Sequence, residues 1–324
     1  MTVRKTPLCG ELGIDLPIFN AGMGGGIAGA ELAAAVSDAG GLGVLGMGGL
    51  PAAVTREQIR RLRTLTTKPF GVNVILAIAE EGQVDVCFDE KVPVLILFWG
   101  DARPFVDKAR RAGTKLILQC GSVKEAKDAA DAGVDAVMIQ GVEAGGHVKG
   151  TTALSIALPA TVGAVKPLPV IAAGGVADAR GVAAALDLGA QAVSVGTRFL
   201  CSNEAAAARA YKERIVRAEA EDTVYTLLFD IGWPNAAHRV LRNQAYSEWE
   251  AAGSPPTGKR PREGVPFGSM TIGGARVELP SYAVFPPLES FEGDMERAAL
   301  YAGQSCSLVN DIKPAAEIVR ELAS

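Results

Sequence analysis

Histidine is nearly absent from this 324-residue sequence, which holds only His147 and His238. Neither stands in HxxxH or in any other metal-ligand spacing with Cys or carboxylates, so no metal site is expected. The five cysteines, Cys9, Cys87, Cys120, Cys201 and Cys306, contain no CxxC pair. An odd number scattered through a long chain points to reduced thiols and a cytoplasmic protein. No GxSxG elbow is present, which removes that hydrolase signature. Residues 1–7 carry two cations with no apolar stretch behind them, so the layout of a secretory signal is missing. The longest strongly apolar run, residues 92–99, falls far short of the ~20 residues that cross a bilayer, and no membrane partner is expected. Nor is there an excess of positive charge: 32 basic against 36 acidic residues give −4, which argues against nucleic acid as a partner.

What the sequence does contain is glycine, 38 residues of it, and alanine in segments of helical period that alternate with short β-branched runs. That alternation is the rhythm of βα units. Strands are predicted over residues 17–21, 43–45, 70–73, 92–98, 115–120, 136–140, 170–172 and 192–195, with helices over 30–39, 56–65, 104–112, 124–132, 153–165 and 179–188. At four helix-to-strand joints, Gly40, Gly113, Gly133 and Gly189 stand where a helix ends in a left-handed residue. Strands 92–98 and 136–140 are apolar throughout, as parallel strands covered on both faces are. The predicted fold class is therefore α/β, a closed (β/α)8 TIM barrel. After Thr197 the pattern changes. Residues 1–203 and 301–324 are expected to form the barrel, and 204–300 an inserted, lid-like segment over its mouth. Within the insertion, 204–218 reads as a charged helix, 253–268 as a Pro/Gly connection and 269–279 as a hairpin around Gly273-Gly274. A last helix is predicted over 314–322.

Three glycine clusters fall at strand ends. Gly24-Gly25-Gly26-Ile27-Ala28-Gly29 fits G-x-G-x-x-G, but the second strand ends Leu45-Gly46-Met47-Gly48 without the carboxylate that a dinucleotide site wants. A turn that lets backbone lie near a flat ligand fits better. Gly174-Gly175 and Gly196-Thr197 end strands seven and eight, where barrels commonly hold a phosphate; tight βα turns alone would also account for them. Asn73 and Gln140 end strands three and six, and their amides can bond a heteroaromatic ring edge. His147 follows strand six at the barrel's catalytic rim, where an imidazole can accept a proton near neutral pH. His238, in the insertion, reads as structural.

Taken together, Lys68-Pro-Phe-Gly-Val-Asn73, Ile139-Gln-Gly-Val-Glu-Ala-Gly-Gly-His147, Pro169-Val-Ile-Ala-Ala-Gly-Gly175, Gly196-Thr-Arg-Phe-Leu200 and Tyr301-Ala-Gly-Gln-Ser305 resemble the nitronate monooxygenase family, formerly called 2-nitropropane dioxygenases. The resemblance implies non-covalent FMN at the barrel mouth. It places Gly22 and Met23 beside the flavin, Asn73, Gln119 and Gln140 on its polar groups, and Gly145 in the same cavity. Gly174, Gly175, Gly196 and Thr197 would cradle the phosphate, and Gly303, Gln304 and Ser305 would complete the site. His147 would be the catalytic base toward nitroalkanes. The implied reaction passes one electron from an alkyl nitronate to FMN, with O2 reduced by the flavin semiquinone, giving a carbonyl compound and nitrite.

Two segments depart from the family pattern. Asn20-Ala-Gly-Met23 replaces the commoner Gln-Ala-Pro-Met and bears on the flavin's surroundings; Gly232-Trp-Pro-Asn-Ala-Ala-His replaces Gly-Arg-Pro-Ala-Arg and bears on the substrate. The rival functions are an NAD(P)H-dependent FMN reductase of an enoyl or acyl thioester, whose family shares Glu-Ala-Gly-Gly-His, and an NAD(P)H:quinone oxidoreductase. A flavin carrier without catalysis would not need His147. Trp233, Trp249, Tyr282 and Phe285 could line a pocket or simply pack, and nothing in the sequence speaks to oligomeric state.

Overall fold

The computed structural model describes residues 3–324. Eight parallel strands form one sheet: β1 (Ile18–Asn20), β2 (Gly43–Gly46), β3 (Phe70–Ile75), β4 (Val94–Phe98), β5 (Lys115–Cys120), β6 (Ala136–Gln140), β7 (Val170–Ala173) and β8 (Ala192–Val195). Their order is β1-β8-β7-β6-β5-β4-β3-β2, and a parallel bridge between Phe19 and Leu42 joins the two ends. The expected (β/α)8 barrel is therefore present, and a doubly wound dinucleotide fold is not. Helices Ala30–Asp38, Ala52–Leu65, Arg103–Ala112, Val123–Ala132, Leu154–Val165 and Ala179–Asp187 match the six predicted. Gly40, Gly113, Gly133 and Gly189 take φ of 96°, 72°, 90° and 99° at the joints. Among the helices that were not predicted, Gln83–Asp89 starts after a left-handed Gly82 with no side-chain cap, so it carries no start signal in the sequence.

Barrel closure decides which residues face the axis. Val94 and Ile96 of β4 point inward with Ile117, Met138 and Ile171, whereas Leu95 and Leu97 belong to the outer core beneath the helices. The lower end of the axis is plugged by Leu8, Cys9 and Leu12 of a short helix, Pro7–Leu12, capped by the Thr6 side chain. Two residues further along each strand, the inward positions become Asn73, Phe98, Gln119 and Gln140. The side chains that end the strands therefore converge on the upper mouth.

β1 and β2 meet through little backbone, and Asn20 supplies the missing bonds. Its Nδ2 donates to Val44 O at 2.8 Å, and Val44 N donates to its Oδ1 at 2.8 Å, all of it buried. The departure at Asn20 thus serves barrel closure and does not face the mouth.

Residues 204–300 hold a helix, Arg209–Val216, shorter than the predicted 204–218. The preceding amides are drawn into tertiary bonds, Ala206 N to Ile27 O and Ala208 N to Pro287 O, both 3.0 Å. The hairpin is formed by Pro266–Ile272 and Ala275–Pro280, turning at Gly273-Gly274 with φ of 56° and 84°. A second antiparallel sheet joins Thr223–Thr226 and His238–Leu241 to the two-residue strand Gly146–His147. That pairing clamps the loop after β6 to the inserted segment. The C-terminal helix is Ala315–Leu322. Among the described residues no helix is long and apolar enough to cross a membrane.

Replacing Asn20 by Leu keeps the volume but orphans the N–H and C=O of Val44. The expected loss of stability is about 3 kcal/mol. An unchanged urea midpoint would show that Asn20 does not clamp the barrel.

Candidate active site

A cavity of about 360 Å³ opens at the C-terminal ends of the strands, within the range of small-molecule sites. Gly22, Met23, Asn73, Gln119, Gln140, Gly145, His147, Gly174, Gly175, Gly196, Thr197 and Ser305 all line it. Gly303 and Gln304 do not. Gly303 is buried behind the wall and donates to Thr197 Oγ1 at 3.0 Å, while the exposed Gln304 donates its backbone N–H to Glu143 O at 3.0 Å. These bonds bring the C-terminal segment against the loop after β6. A Cβ on Gly145 would come within 2.4 Å of Gly303 N, so only glycine permits that approach.

The amides at the strand ends divide into two kinds. Asn73 donates Nδ2 to Ile96 O at 3.2 Å and packs so closely that a Cβ on Gly22 would meet its Cβ at 2.3 Å. Gln140 is turned to its own loop: Nε2 donates to His147 O at 3.0 Å, and Oε1 accepts from Lys149 N at 3.4 Å. It holds the backbone of His147 in place. Glu143, which the sequence reading left without a role, accepts from Leu154 N at 3.0 Å and so ties the same loop to the helix Leu154–Val165.

At the β7–β8 side of the cavity, Gly174 and Gly175 adopt φ of 93° and 73°. A Cβ on either would strike Ala144 or Glu143 at 2.7 or 2.9 Å. Among the described residues the N–H groups of Gly175, Val176 and Gly196 find no protein acceptor. Such amides suit a phosphate. Among the described residues no Asp, Glu, Lys or Arg lines the cavity. Backbone amides and neutral polar groups at one side, with apolar walls at the other, fit a phosphate-tailed planar cofactor. Gly22, Met23, Asn73, Gln119, Gly174, Gly175 and Gly196 are placed to hold it. Among the described residues no group of three or more His, Cys, Asp or Glu could hold a metal ion.

His147 stands in an aromatic enclosure. Trp233 stacks on it, ring centroids 4.1 Å apart, and Tyr301, His238 and Trp99 surround it at 5.4, 5.3 and 6.4 Å. Its Nε2 is buried without a partner. Burial pushes its pKa well below the usual 6.5, and the neighbouring His238 adds to the shift. The imidazole is neutral at neutral pH. Trp99, directly after β4, reaches this cluster through a left-handed backbone, φ 58°, an uncommon conformation for a bulky residue. Its position at a strand end is the signal that could have marked it, as it marked His147.

His238 is fully buried and both ring nitrogens are engaged: Nδ1–H donates to Ala236 O at 2.9 Å, and Nε2 accepts from Phe229 N at 3.2 Å. It is structural. Of Trp233, Trp249, Tyr282 and Phe285, Trp233 and Phe285 line the cavity. Trp249 bonds Pro255 O, and the buried Tyr282 bonds Pro261 O beneath Arg260, so both pack.

The description of the nitronate monooxygenase family matches residues 5–83 and 75–324. The chain belongs to that family. Nitronate monooxygenase of Pseudomonas aeruginosa is 32% identical over 99% of this chain and 98% of its own length. The (3aS,4S,5R,7aS)-5-hydroxy-7a-methyl-1-oxo-octahydro-1H-indene-4-carboxyl-CoA dehydrogenase of Mycobacterium tuberculosis is 38% identical over 76% of this chain and 69% of its own. Among solved structures, FabK from Thermotoga maritima superposes with a TM-score of 0.80 at 35% identity, covering 98% of this chain and 94% of that one. Nitroalkane oxidase from Streptomyces ansochromogenes gives 0.77 at 29%, covering 98% and 96%. The family member described here is accordingly a flavin-dependent oxidoreductase.

The engaged nitrogens of His238 generate a stability prediction. Burial lowers its pKa to about 4 in the fold, against 6.5 when unfolded. Above pH 6.5 the group has no effect. As pH falls from 6.5 to 4 the unfolded chain alone gains a proton, and stability should fall by about 3 kcal/mol before levelling. Urea midpoints across that window, compared with His238→Asn, check this: the variant should start lower and decline less.

Proposed function

We propose that this oxidoreductase binds FMN and converts alkyl nitronates and their parent nitroalkanes, with O2, to a carbonyl compound and nitrite. The observation that carries the proposal is one neutral imidazole, with an unpartnered nitrogen, in the wall of a cavity that holds no formal charge. FMN when bound would supply the redox chemistry, accepting electrons from the substrate and delivering them to O2. The protein's own groups bind, orient and move a proton.

His147 takes the α-proton of a neutral nitroalkane, and a preformed nitronate bypasses that step. A base must be unprotonated before it acts, and desolvation keeps this one so. Gln140 fixes the loop that presents it, through the bond to His147 O. Trp233, stacked on the ring, excludes water and holds its plane. The free N–H groups near Gly175 and Gly196 anchor the cofactor phosphate.

A second reading is an NAD(P)H-dependent reductase of an acyl thioester. It is favoured by the 38% and 36% identity to two relatives named as carboxyl-CoA dehydrogenases. Anaerobic mixing separates the two. Propyl-2-nitronate should bleach the flavin quickly, and rapid bleaching by NADPH with none by nitronate would reject the first reading, leaving the thioester or a quinone as acceptor.

His147→Asn should retain flavin and lose about 10²- to 10⁴-fold in kcat/KM on nitroalkanes, with far smaller losses on nitronates. Equal losses would contradict a base. In the wild type the acid limb of kcat/KM on nitroalkanes should lie below pH 6.5, because protonation of His147 is displaced downward; a limb at or above 6.5 would speak against this assignment.

A further inference from the structure

The loop that lays Trp233 on His147 does not hold its own shape. Gly232 takes φ 106° and Asn235 φ 59°, one on each side of the indole, and a Cβ on Gly232 would meet Val284 Cγ1 at 2.9 Å. Left-handed residues of this kind persist where their surroundings over-determine them. The end of the loop is fixed by His238, paired with His147 across the small sheet. Its beginning rests on Arg260, in the stretch 253–268 that the sequence presents as a Pro/Gly connection.

Arg260 is buried and grips that beginning at several points. Its Nη1 donates to Leu228 O at 2.8 Å and to the Asp230 carboxylate at 2.7 Å, and Thr257 Oγ1 donates to the other carboxylate oxygen at 2.9 Å. Nη2 donates to Glu263, which in turn accepts from Gly258 N and Arg260 N. The guanidinium lies 4.5 Å over the Tyr282 ring, and Tyr282 O accepts from Ile231 N. From Asp230 O one bond of 3.0 Å runs to Trp233 N. Leu228, Asp230 and Ile231 are thus tied to one buried cation, directly before the indole that covers His147. Breaking such a pair is strongly destabilising, because the partner left behind is a buried, uncompensated charge.

We propose that Arg260, through Asp230, is a positioning residue: it fixes the Trp233 loop and so keeps water from the unpartnered Nε2 of His147. The proposal deepens the functional reading and rests on it only where turnover is measured. The other titratable and charged groups about His147 have partners of their own. His238 has both nitrogens bonded, the Tyr301 hydroxyl donates to Val284 O, and Arg239 on the paired strand donates to Val142 O. Glu143 accepts from Leu154 N, and Lys149, beyond Trp99, pairs with Glu125. Asp230 itself acts on His238 through space.

The test reads the imidazole directly. Flavin-loaded protein labelled at histidine is titrated by NMR, the His147 signal being assigned by its loss in His147→Asn. In the wild type that signal should titrate well below pH 6.5. Arg260→Met and Asp230→Asn should each raise the midpoint by about one pH unit as water enters. Asp230→Asn separates hydration from direct charge, since deleting a nearby carboxylate by itself would lower an imidazole's pKa. It also decides the matter should Arg260→Met fail to fold. Arg260→Lys, which keeps the charge without the fork that reaches Leu228, Asp230 and Glu263 together, should fall between wild type and Arg260→Met. The acid limb of kcat/KM on nitroalkanes should move up with the midpoint. Arg276→Met, which breaks an exposed pair with Glu292 in the same insertion, should move neither. A midpoint unmoved in either folded, flavin-loaded variant, a fall in Asp230→Asn, or an equal rise in Arg276→Met would overturn the proposal. A raised midpoint with an unmoved acid limb would uphold it and overturn His147 as the base.

Discussion

Everything at the barrel mouth depends on the alternation of side chains along eight closed parallel strands. Once Val94 and Ile96 face the axis, Phe98 must do so as well, and Ile117 carries Gln119 to the same rim. The interior below is filled by apolar side chains and sealed at its base by the helix Pro7–Leu12. The barrel axis therefore opens into a cavity at the top, where strand-end residues converge. Asn20 maintains this arrangement at the seam of the barrel, replacing ladder bonds that the short β1 cannot make.

The second constraint is electrostatic. Among the described residues the cavity wall carries no Asp, Glu, Lys or Arg, and the buried cations are engaged elsewhere, Arg260 with Asp230 and Glu263, Lys212 and Arg239 with backbone carbonyls. Two histidines 5.3 Å apart are both held neutral by desolvation, for different ends. One has both nitrogens bonded to backbone and supports the loop that carries Trp233. The other keeps a nitrogen unpartnered beside the cavity. The same chemical group becomes a brace or a base according to whether the backbone satisfies it.

Much of the architecture was legible because its signals are local. Gly40, Gly113, Gly133 and Gly189 end helices in a left-handed turn, which depends on the residue and its immediate neighbours alone. The apolar strands and the glycine clusters at their ends are equally local, and so Asn73, Gln140, Gly174, Gly175, Gly196 and Thr197 could be marked from them, whereas Gly22, Met23, Gln119, Gly145 and Ser305 were marked by the family resemblance. Less legible were the partners. Gln140 reads as a ligand amide but bonds the loop of His147, and Gln304 reads as a site residue but lies exposed. The helix expected over 204–218 shortens because Ile27 and Pro287, distant in sequence, capture its first amides.

The sequence by itself determined the repeat, the closed parallel barrel and the family, since each is written in short-range periodicity or in contiguous motifs. Only the tertiary structure decided which amides face a ligand and which face backbone, that Trp99 and Trp233 enclose His147, and that the cavity carries no charge. Those outcomes depend on contacts between different segments, such as Trp99 and Trp233 against His147, and desolvation arises only when such segments close over one another.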